Sequence, residues 1–360
     1  MIGKVSLKDF RSFTSKAIEF SEKITLITGP NASGKTNILE SLFLLSTGRS
    51  FKARVEEEMV NYKKDISRVK GVLPGLTGPV GSSSGHPSLE VILTRGMIDI
   101  GADRPEKVAR KKLLVNGVPK RLVDFAGNFK VVLFGPWDLD LVTESPSLRR
   151  RFLDTVLSQV DREYRRSILS YEKGVRQRNR LLFRIREEGL SRSQLLFWNQ
   201  LLIKNGNYIT EKREELIDFI NGSGFQINGS KLKLIYDKSI ISDGRLEQYK
   251  EEEVAAATTL VGPHRDDFIF EEGIRDLASY GSRGEQRMGV LWLKMAELSF
   301  IEERTGERPT LLLDDIFSEL DPEHRDSVIG ITKNQQTIIT TADPRFVGEL
   351  KKVEKVELMK

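Results

Sequence analysis

Gly29-Pro30-Asn31-Ala32-Ser33-Gly34-Lys35-Thr36 is the stretch on which the fold turns. Before it, residues 17 to 28 place Ile18, Phe20, Ile24, Leu26 and Ile27 at near-alternate positions, the spacing of a strand, and residues 2 to 10, with Val5 and Leu7, read the same way. After it, Ile38, Leu39, Leu42, Phe43 and Leu45 keep helical spacing until Gly48. Strand, glycine loop and helix in that order are the context in which Gly-x-x-x-x-Gly-Lys-Thr binds phosphate. The glycines let the backbone come close enough for its N–H groups to reach phosphate oxygens at the positive end of the helix. Lys35 would reach the β- and γ-phosphates, and the Thr36 hydroxyl would take one position on Mg²⁺. A plain glycine turn before a helix is the bland alternative, and the flanking pattern weighs against it.

Such a site also needs a carboxylate at the end of a buried strand. Thr310-Leu311-Leu312-Leu313 is an apolar run suited to a central parallel strand, and it ends in Asp314-Asp315. Two charges at that point are costly inside unless a cation meets them. Asp314 is thus the magnesium candidate, and Asp315 the candidate to orient or deprotonate an attacking water. Between the two motifs, Tyr280-Gly281-Ser282-Arg283-Gly284-Glu285-Gln286 opens a helical run through Met288, Val290, Leu291, Leu293 and Met295. It reads as a second helix N-terminus able to hold an anion, or as ordinary N-capping. One nucleotide needs two such distant ends only if another subunit presents the second.

Composition narrows the class. The 360 residues allow two lobes, and no run approaches the roughly 18 apolar residues that span a bilayer, so no membrane segment is expected. Residues 1 to 10 lack an export-signal layout, and a cytoplasmic location is expected. With no cysteine and only His86, His264 and His324, any metal should be oxygen-bound. Residues 71 to 88, rich in Gly, Pro and Ser, read as a surface loop. From Leu148 to about Leu190, and again from Leu195 to Ile220, apolar residues keep helical spacing, which predicts a helical hairpin ended by Asn221-Gly222-Ser223-Gly224. The reading is an α/β ATPase lobe (1–135 and 256–360) with an inserted, mainly helical basic lobe (136–255).

The net charge is only +5, but residues 149 to 186 hold 12 Lys or Arg against 4 Asp or Glu. Nucleic-acid backbone is the natural partner of such a segment, and a solvated helix face is the plain alternative. Arg149, Arg150, Arg151, Arg162, Arg165 and Arg166 are the DNA-binding candidates.

The order P-loop, Ser-x-Gly-Glu-Gln, Leu-Leu-Leu-Asp-Asp and Ser318-Glu319-Leu320-Asp321 resembles ABC-type ATPase heads. Further segments across nearly the whole chain resemble the RecF family in particular. They are Leu7-Lys8-Asp9-Phe10-Arg11-Ser12-Phe13, Gly48-Arg49-Ser50-Phe51, Phe134-Gly135-Pro136-Trp137-Asp138-Leu139, Pro146 with Arg149-Arg150-Arg151-Phe152-Leu153-Asp154, and Gly262-Pro263-His264-Arg265-Asp266-Asp267. The resemblance implies that Ser282, Gly284, Glu285 and Gln286 form the signature that closes over ATP held by a partner subunit, with Asp321 lining the seam. It implies an ATP-dependent homodimer acting at single/double-strand junctions and gapped duplex in DNA repair, beside RecR and RecO. Trp137 stands where the family more often has glutamate, and Lys52 where it has arginine. The run Ile338-Ile339-Thr340-Thr341 lacks the histidine that senses the γ-phosphate in many ABC ATPases, which leaves Thr340 or Thr341 for that place. Asp315, a methylene shorter than the usual glutamate, implies slow hydrolysis. A transporter's nucleotide-binding subunit and a small-molecule kinase share the P-loop, but the basic insertion and the RecF-like segments speak against the first, and the second leaves Ser282 to Gln286 unexplained.

Overall fold

The computed structural model describes residues 1–74, 86–98, 106–224, 226–227, 229–318, 322–332, 334–343, 345, 350 and 353–359. The chain divides into two compact units, Met1–Pro136 with Ile301–Lys360, and Trp137–Phe300.

The first unit contains a wholly parallel sheet of five strands, in the order Val131–Phe134, Thr310–Asp314, Thr337–Thr341, Ile24–Thr28 and Val353–Glu357. Thr310–Asp314 and Thr337–Thr341 are buried at every position, as unbroken strands covered on both faces must be. A six-stranded antiparallel sheet runs Phe13–Glu19, Lys4–Phe10, Ile66–Val72, Ser88–Thr94, Lys111–Val115, Val118–Lys120. Its member Ile66–Val72 alternates exposed and buried residues, with one face on the core. Helix Lys35–Thr47 touches strands of both sheets. Ile38, Leu39, Leu42, Leu44 and Leu45 are fully buried around its circumference, so it has little amphipathic character. Gly48, at φ +67°, ends it by donating its N–H to the Leu44 carbonyl at 2.8 Å.

Residues 17 to 28 are not one strand. Phe13–Glu19 closes a hairpin of the antiparallel sheet and Ile24–Thr28 joins the parallel one. The break falls where the Ser21 N–H donates to Thr25 Oγ1 instead of to a ladder partner. The Gly/Pro/Ser-rich stretch is shorter than its composition suggests, because residues 71, 72 and 88 belong to strands. Residues 75–85 of that stretch lie outside the described residues.

The second unit is built on helices Pro146–Val160, Arg162–Glu188 and Leu196–Gly222. The periodic run from Leu148 is two helices, because Asp161 interrupts it and caps the second by accepting the N–H groups of Glu163 and Tyr164. The latter two helices form the hairpin, in close contact at Gly174, where a Cβ would stand 2.7 Å from Leu201 Cδ2. Helix Leu196–Gly222 stops inside the expected glycine break. Residues 256–300, expected with the ATPase lobe, group with this unit instead. The reason is direct: Asp267–Glu272 pairs antiparallel with Ser230–Asp237, and Asp266 and Asp267 bind arginines of the helices.

Those arginines organise the unit's interior. Arg213, 1% exposed, donates to Asp154, to Asp266 and to the Pro263 carbonyl, while Tyr236 also donates to Asp266. Replacing Arg213 with alanine strands two carboxylates and is expected to cost about 3–5 kcal/mol. Chemical denaturation of the variant measures this. A loss under about 1 kcal/mol would show that water replaces the guanidinium without strain.

Candidate nucleotide site

The parallel sheet delivers the P-loop from the end of Ile24–Thr28 into helix Lys35–Thr47. Gly34 sits at φ +97°, and a Cβ there would lie 2.5 Å from the Phe13 ring. Only glycine fits that conformation under that ring. No side chain caps the helix, so its first-turn N–H groups face the loop without a side-chain acceptor. Asn31, Pro30 and Ala32 are exposed at the rim. Ser33 Oγ is buried and has no hydrogen-bond partner among the described residues. Lys35, 8% exposed, donates its Nζ to the carbonyls of Gly29 and Pro30 at 2.7 and 3.1 Å.

Asp314 ends its strand beside this loop. Its Oδ2 accepts from Thr36 Oγ1 at 2.8 Å and its Oδ1 from Thr340 Oγ1 at 2.5 Å. Burial raises its pKa above the ordinary carboxylate value, against the two threonine hydrogen bonds, which lower it. A desolvated carboxylate next to a threonine hydroxyl is the donor set for a divalent cation, which would relieve that burial cost. Among the described residues no group of three or more His, Asp or Glu could cage a metal, so water and phosphate oxygens would complete the shell. The orphaned Ser33 hydroxyl, the uncapped helix and this pair fit a nucleotide with Mg²⁺.

Asp315 adopts φ +52°, which turns its side chain from the strand direction. Its Oδ1 accepts from Thr341 Oγ1 at 3.2 Å and from the Ala342 N–H at 3.4 Å. The threonine strand therefore serves both acids: Thr340 holds Asp314 and Thr341 holds Asp315.

Ser282, in the second unit, precedes helix Arg283–Thr305 and is exposed, as is Gly284. Ser282 and Glu285 form a reciprocal cap, N–H to Oε2 at 2.7 Å and N–H to Oγ at 3.3 Å. Gln286 differs from Ser282 and Gly284 in being buried, and its Nε2 donates to the carbonyls of Leu277, Ala278 and Gly281. It braces the turn from behind through these three carbonyls. Asp321 lies outside the described residues.

The DNA candidates separate by burial. Arg149 is 7% exposed and grips Asp267 with two hydrogen bonds, Nε to Oδ1 at 2.6 Å and an Nη to Oδ2 at 2.9 Å, so it is not a surface contact. Arg150 and Arg165, half-buried, donate to the carbonyls of Asp266 and Ser158. Arg151, Arg162 and Arg166 are exposed. Sequence reading missed Lys173, Arg176, Arg180 and Arg184, which are also exposed; their recurrence at three- and four-residue intervals was the available signal.

A parallel sheet ending in a P-loop and an aspartate strand, with a capped Ser-x-Gly turn elsewhere in the chain, defines an ABC-type ATPase head. Comparisons with known proteins agree and go further. The family described as RecF/RecN/SMC N terminal domain matches residues 1–360. The DNA replication and repair protein RecF of Herpetosiphon aurantiacus is 35% identical over 97% of this chain and 96% of its own length. A solved structure of the recombination mediator protein RecF-ATP in the RecFOR pathway superposes with a TM-score of 0.83 at 30% identity, covering 97% of this chain and 93% of that one. An Smc head structure, at 16% identity and TM-score 0.53, shares the fold alone. The chain belongs to the RecF family.

Proposed function

We propose that this chain is an ATP-dependent, DNA-binding recombination mediator of gap repair and replication restart. The hydrogen bond from Thr36 to Asp314 carries the reading, because it joins two motifs 278 residues apart into one phosphate and cation site. Lys35 and the helix N-terminus bind the triphosphate. Thr36 and Asp314 hold Mg²⁺, which neutralises charge on the phosphates when bound. Asp315 orients the attacking water, and its short side chain, tied to Thr341 and Ala342, favours slow turnover. No described helix is long and apolar enough to cross a membrane.

The exposed Ser282 turn of each copy meets ATP bound by the other, so nucleotide joins two chains head to tail. The exposed arginines then hold DNA, and weak, DNA-stimulated hydrolysis releases it. The similarity to a recombination mediator protein RecF of the RecFOR pathway supports RecO and RecR as partners.

Ser282→Arg is expected to leave ATP affinity within about threefold of normal, since Ser282 belongs to the second unit and the P-loop to the first, while abolishing ATP-driven dimers and turnover. Sedimentation with and without ATP, Mg²⁺ and gapped DNA reads nucleotide, dimer and polymer together. Dimers that persist in Ser282→Arg would refute the head-to-tail arrangement.

A further inference from the structure

The chain enters the second unit at Trp137, shortly after the strand Val131–Phe134, and leaves it at Phe300, on the helix Arg283–Thr305 that follows the exposed Ser282 turn. Just inside these two crossings lie Asp138, Lys294 and Glu297, only 7, 6 and 3% exposed. Lys294 Nζ stands 3.1 Å from Asp138 Oδ1 and 3.2 Å from Glu297 Oε2, and 5.3 Å from the centre of the Phe152 ring. Two buried carboxylates share one ammonium.

An interior ion pair is tolerated when each charge meets its opposite. Here one acid is in excess, so with all three groups ionised the trio carries a net negative charge out of water, which is costly. Burial acts to lower the Lys294 pKa, but Asp138 and Glu297 together raise it, so the lysine stays charged. Burial pushes the Glu297 carboxyl up to about 7, with Asp138 adding to the rise and Lys294 opposing it. The charged groups that act on Glu297 from the described residues are these two, one from its own helix and one from the entry segment. Helix Pro146–Val160 brings Phe152 to the ammonium, while its Arg149 is bound to Asp267. Asp140 and Glu144, which follow Asp138 along the chain, act on each other.

The two contacts of Lys294 differ in what they hold. The one with Glu297 lies within a single helix, at i and i+3, and fixes nothing beyond it. The one with Asp138 ties that helix, about three turns from its start, to the segment following the strand that pairs with Thr310–Asp314. The acids therefore compete for one ammonium: a protonated Glu297 leaves it to Asp138, and an ionised Glu297 draws it away. We infer that Lys294 is a positioning residue for ATP-driven dimerisation, its contact with Asp138 setting the helix that carries the Ser282 turn and a proton on Glu297 keeping that contact closed. The inference rests on the head-to-tail dimer proposed above and adds a control to it. The closed contact belongs to the protonated form, so the affinity between ATP-bound copies falls as pH rises through about 7.

The test uses the full chain with ATP and Mg²⁺, sedimented at about pH 6 and about pH 8 at one ionic strength, on either side of the Glu297 transition. The parent should dimerise about tenfold more weakly at the higher pH, as that carboxyl passes from mostly protonated to mostly ionised. Glu297→Gln, which cannot ionise, should dimerise at both as tightly as the parent does at the lower. Asp138→Asn, which gives up the tie, should be about tenfold weaker at both. ATP affinity of the separated chains and circular dichroism should change in neither variant. An isotopic label on the glutamate carboxyl carbons, read by NMR, should show one resonance that titrates near 7 and is missing from Glu297→Gln. Opposite effects of two isosteric acid-to-amide changes are the mark of competition, which a merely structural ion pair would not produce.

A parent-like pH dependence in Glu297→Gln overturns the inference, and so does a Glu297 carboxyl that titrates near the ordinary 4.5. A folded Asp138→Asn chain that dimerises like the parent overturns it too. If that variant does not fold, the Glu297→Gln profile and the carboxyl titration decide between them. A parent that dimerises equally at both pH values removes this inference and leaves the head-to-tail reading standing. A parent that forms no ATP-driven dimer at either removes that reading itself, and the inference with it.

Discussion

Lys35→Ala is expected to raise the dissociation constant for ATP at least a hundredfold and to abolish dimerisation and turnover with it. The ammonium is the one formal positive charge of the P-loop, and charge-assisted hydrogen bonds are worth about 1.5–3 kcal/mol each. Losing contacts to two phosphates therefore exceeds the roughly 2.7 kcal/mol that corresponds to a hundredfold in binding. Folding without nucleotide should be nearly unaffected. Among the described residues Lys35 Nζ donates to the Gly29 and Pro30 carbonyls alone, and Pro30 is exposed, so water can replace the ammonium there. Stability of the nucleotide-free chain should fall by about 1 kcal/mol or less. Stability gained on adding ATP, about 2.7 kcal/mol at a hundredfold excess over the dissociation constant in the parent, should disappear. Thermal unfolding with and without ATP and Mg²⁺ separates the two. If the variant keeps the ATP-dependent rise, the loop does not bind nucleotide through Lys35.

The candidate nucleotide site was legible in the sequence because each half is local. Eight consecutive residues specify the loop, and Thr310 to Asp315 specify a buried strand with its terminal acids. That Thr36 and Asp314 meet was inferable from the chemistry of the cation they would share, and the structure puts them 2.8 Å apart. Thr340 and Thr341 were visible as a strand end, but their division of labour depends on register. The pairing of Asp314 with Thr340 across neighbouring strands places one hydroxyl on each acid.

The basic segment was harder to read, for a physical reason. Arg149, Arg178 and Arg213 have the composition of a surface and the burial of a core, because their acids come from far along the chain: Asp267, Glu253 and Asp266. A count of charges cannot separate an arginine neutralised by such a distant partner from one facing water. The same ion pairs moved the domain boundary. The Gly262 to Asp267 segment, which marks the family in sequence, serves here to tie the helices to the strand Asp267–Glu272.

Asp315→Asn is expected to leave ATP binding within about threefold of the parent while lowering hydrolysis by roughly 10²–10⁴-fold, the usual contribution of a positioned general base. Asp315 is at φ +52°, and asparagine is among the few residues that tolerate that region, so the backbone need not move. The amide oxygen can still accept from Thr341 and from the Ala342 N–H, so the side chain keeps its place and loses only its charge and basicity. Asp314 cannot take over the role. Its two oxygens are engaged by Thr36 and Thr340, and burial already raises its pKa. With binding intact and turnover blocked, ATP-joined dimers should accumulate on DNA and persist after dilution, where the parent releases. Phosphate release and sedimentation of the same sample check both halves. Parent-level hydrolysis in Asp315→Asn would move the water-orienting role to another group, and because the variant keeps both of these hydrogen bonds to residue 315, misfolding could not explain the result.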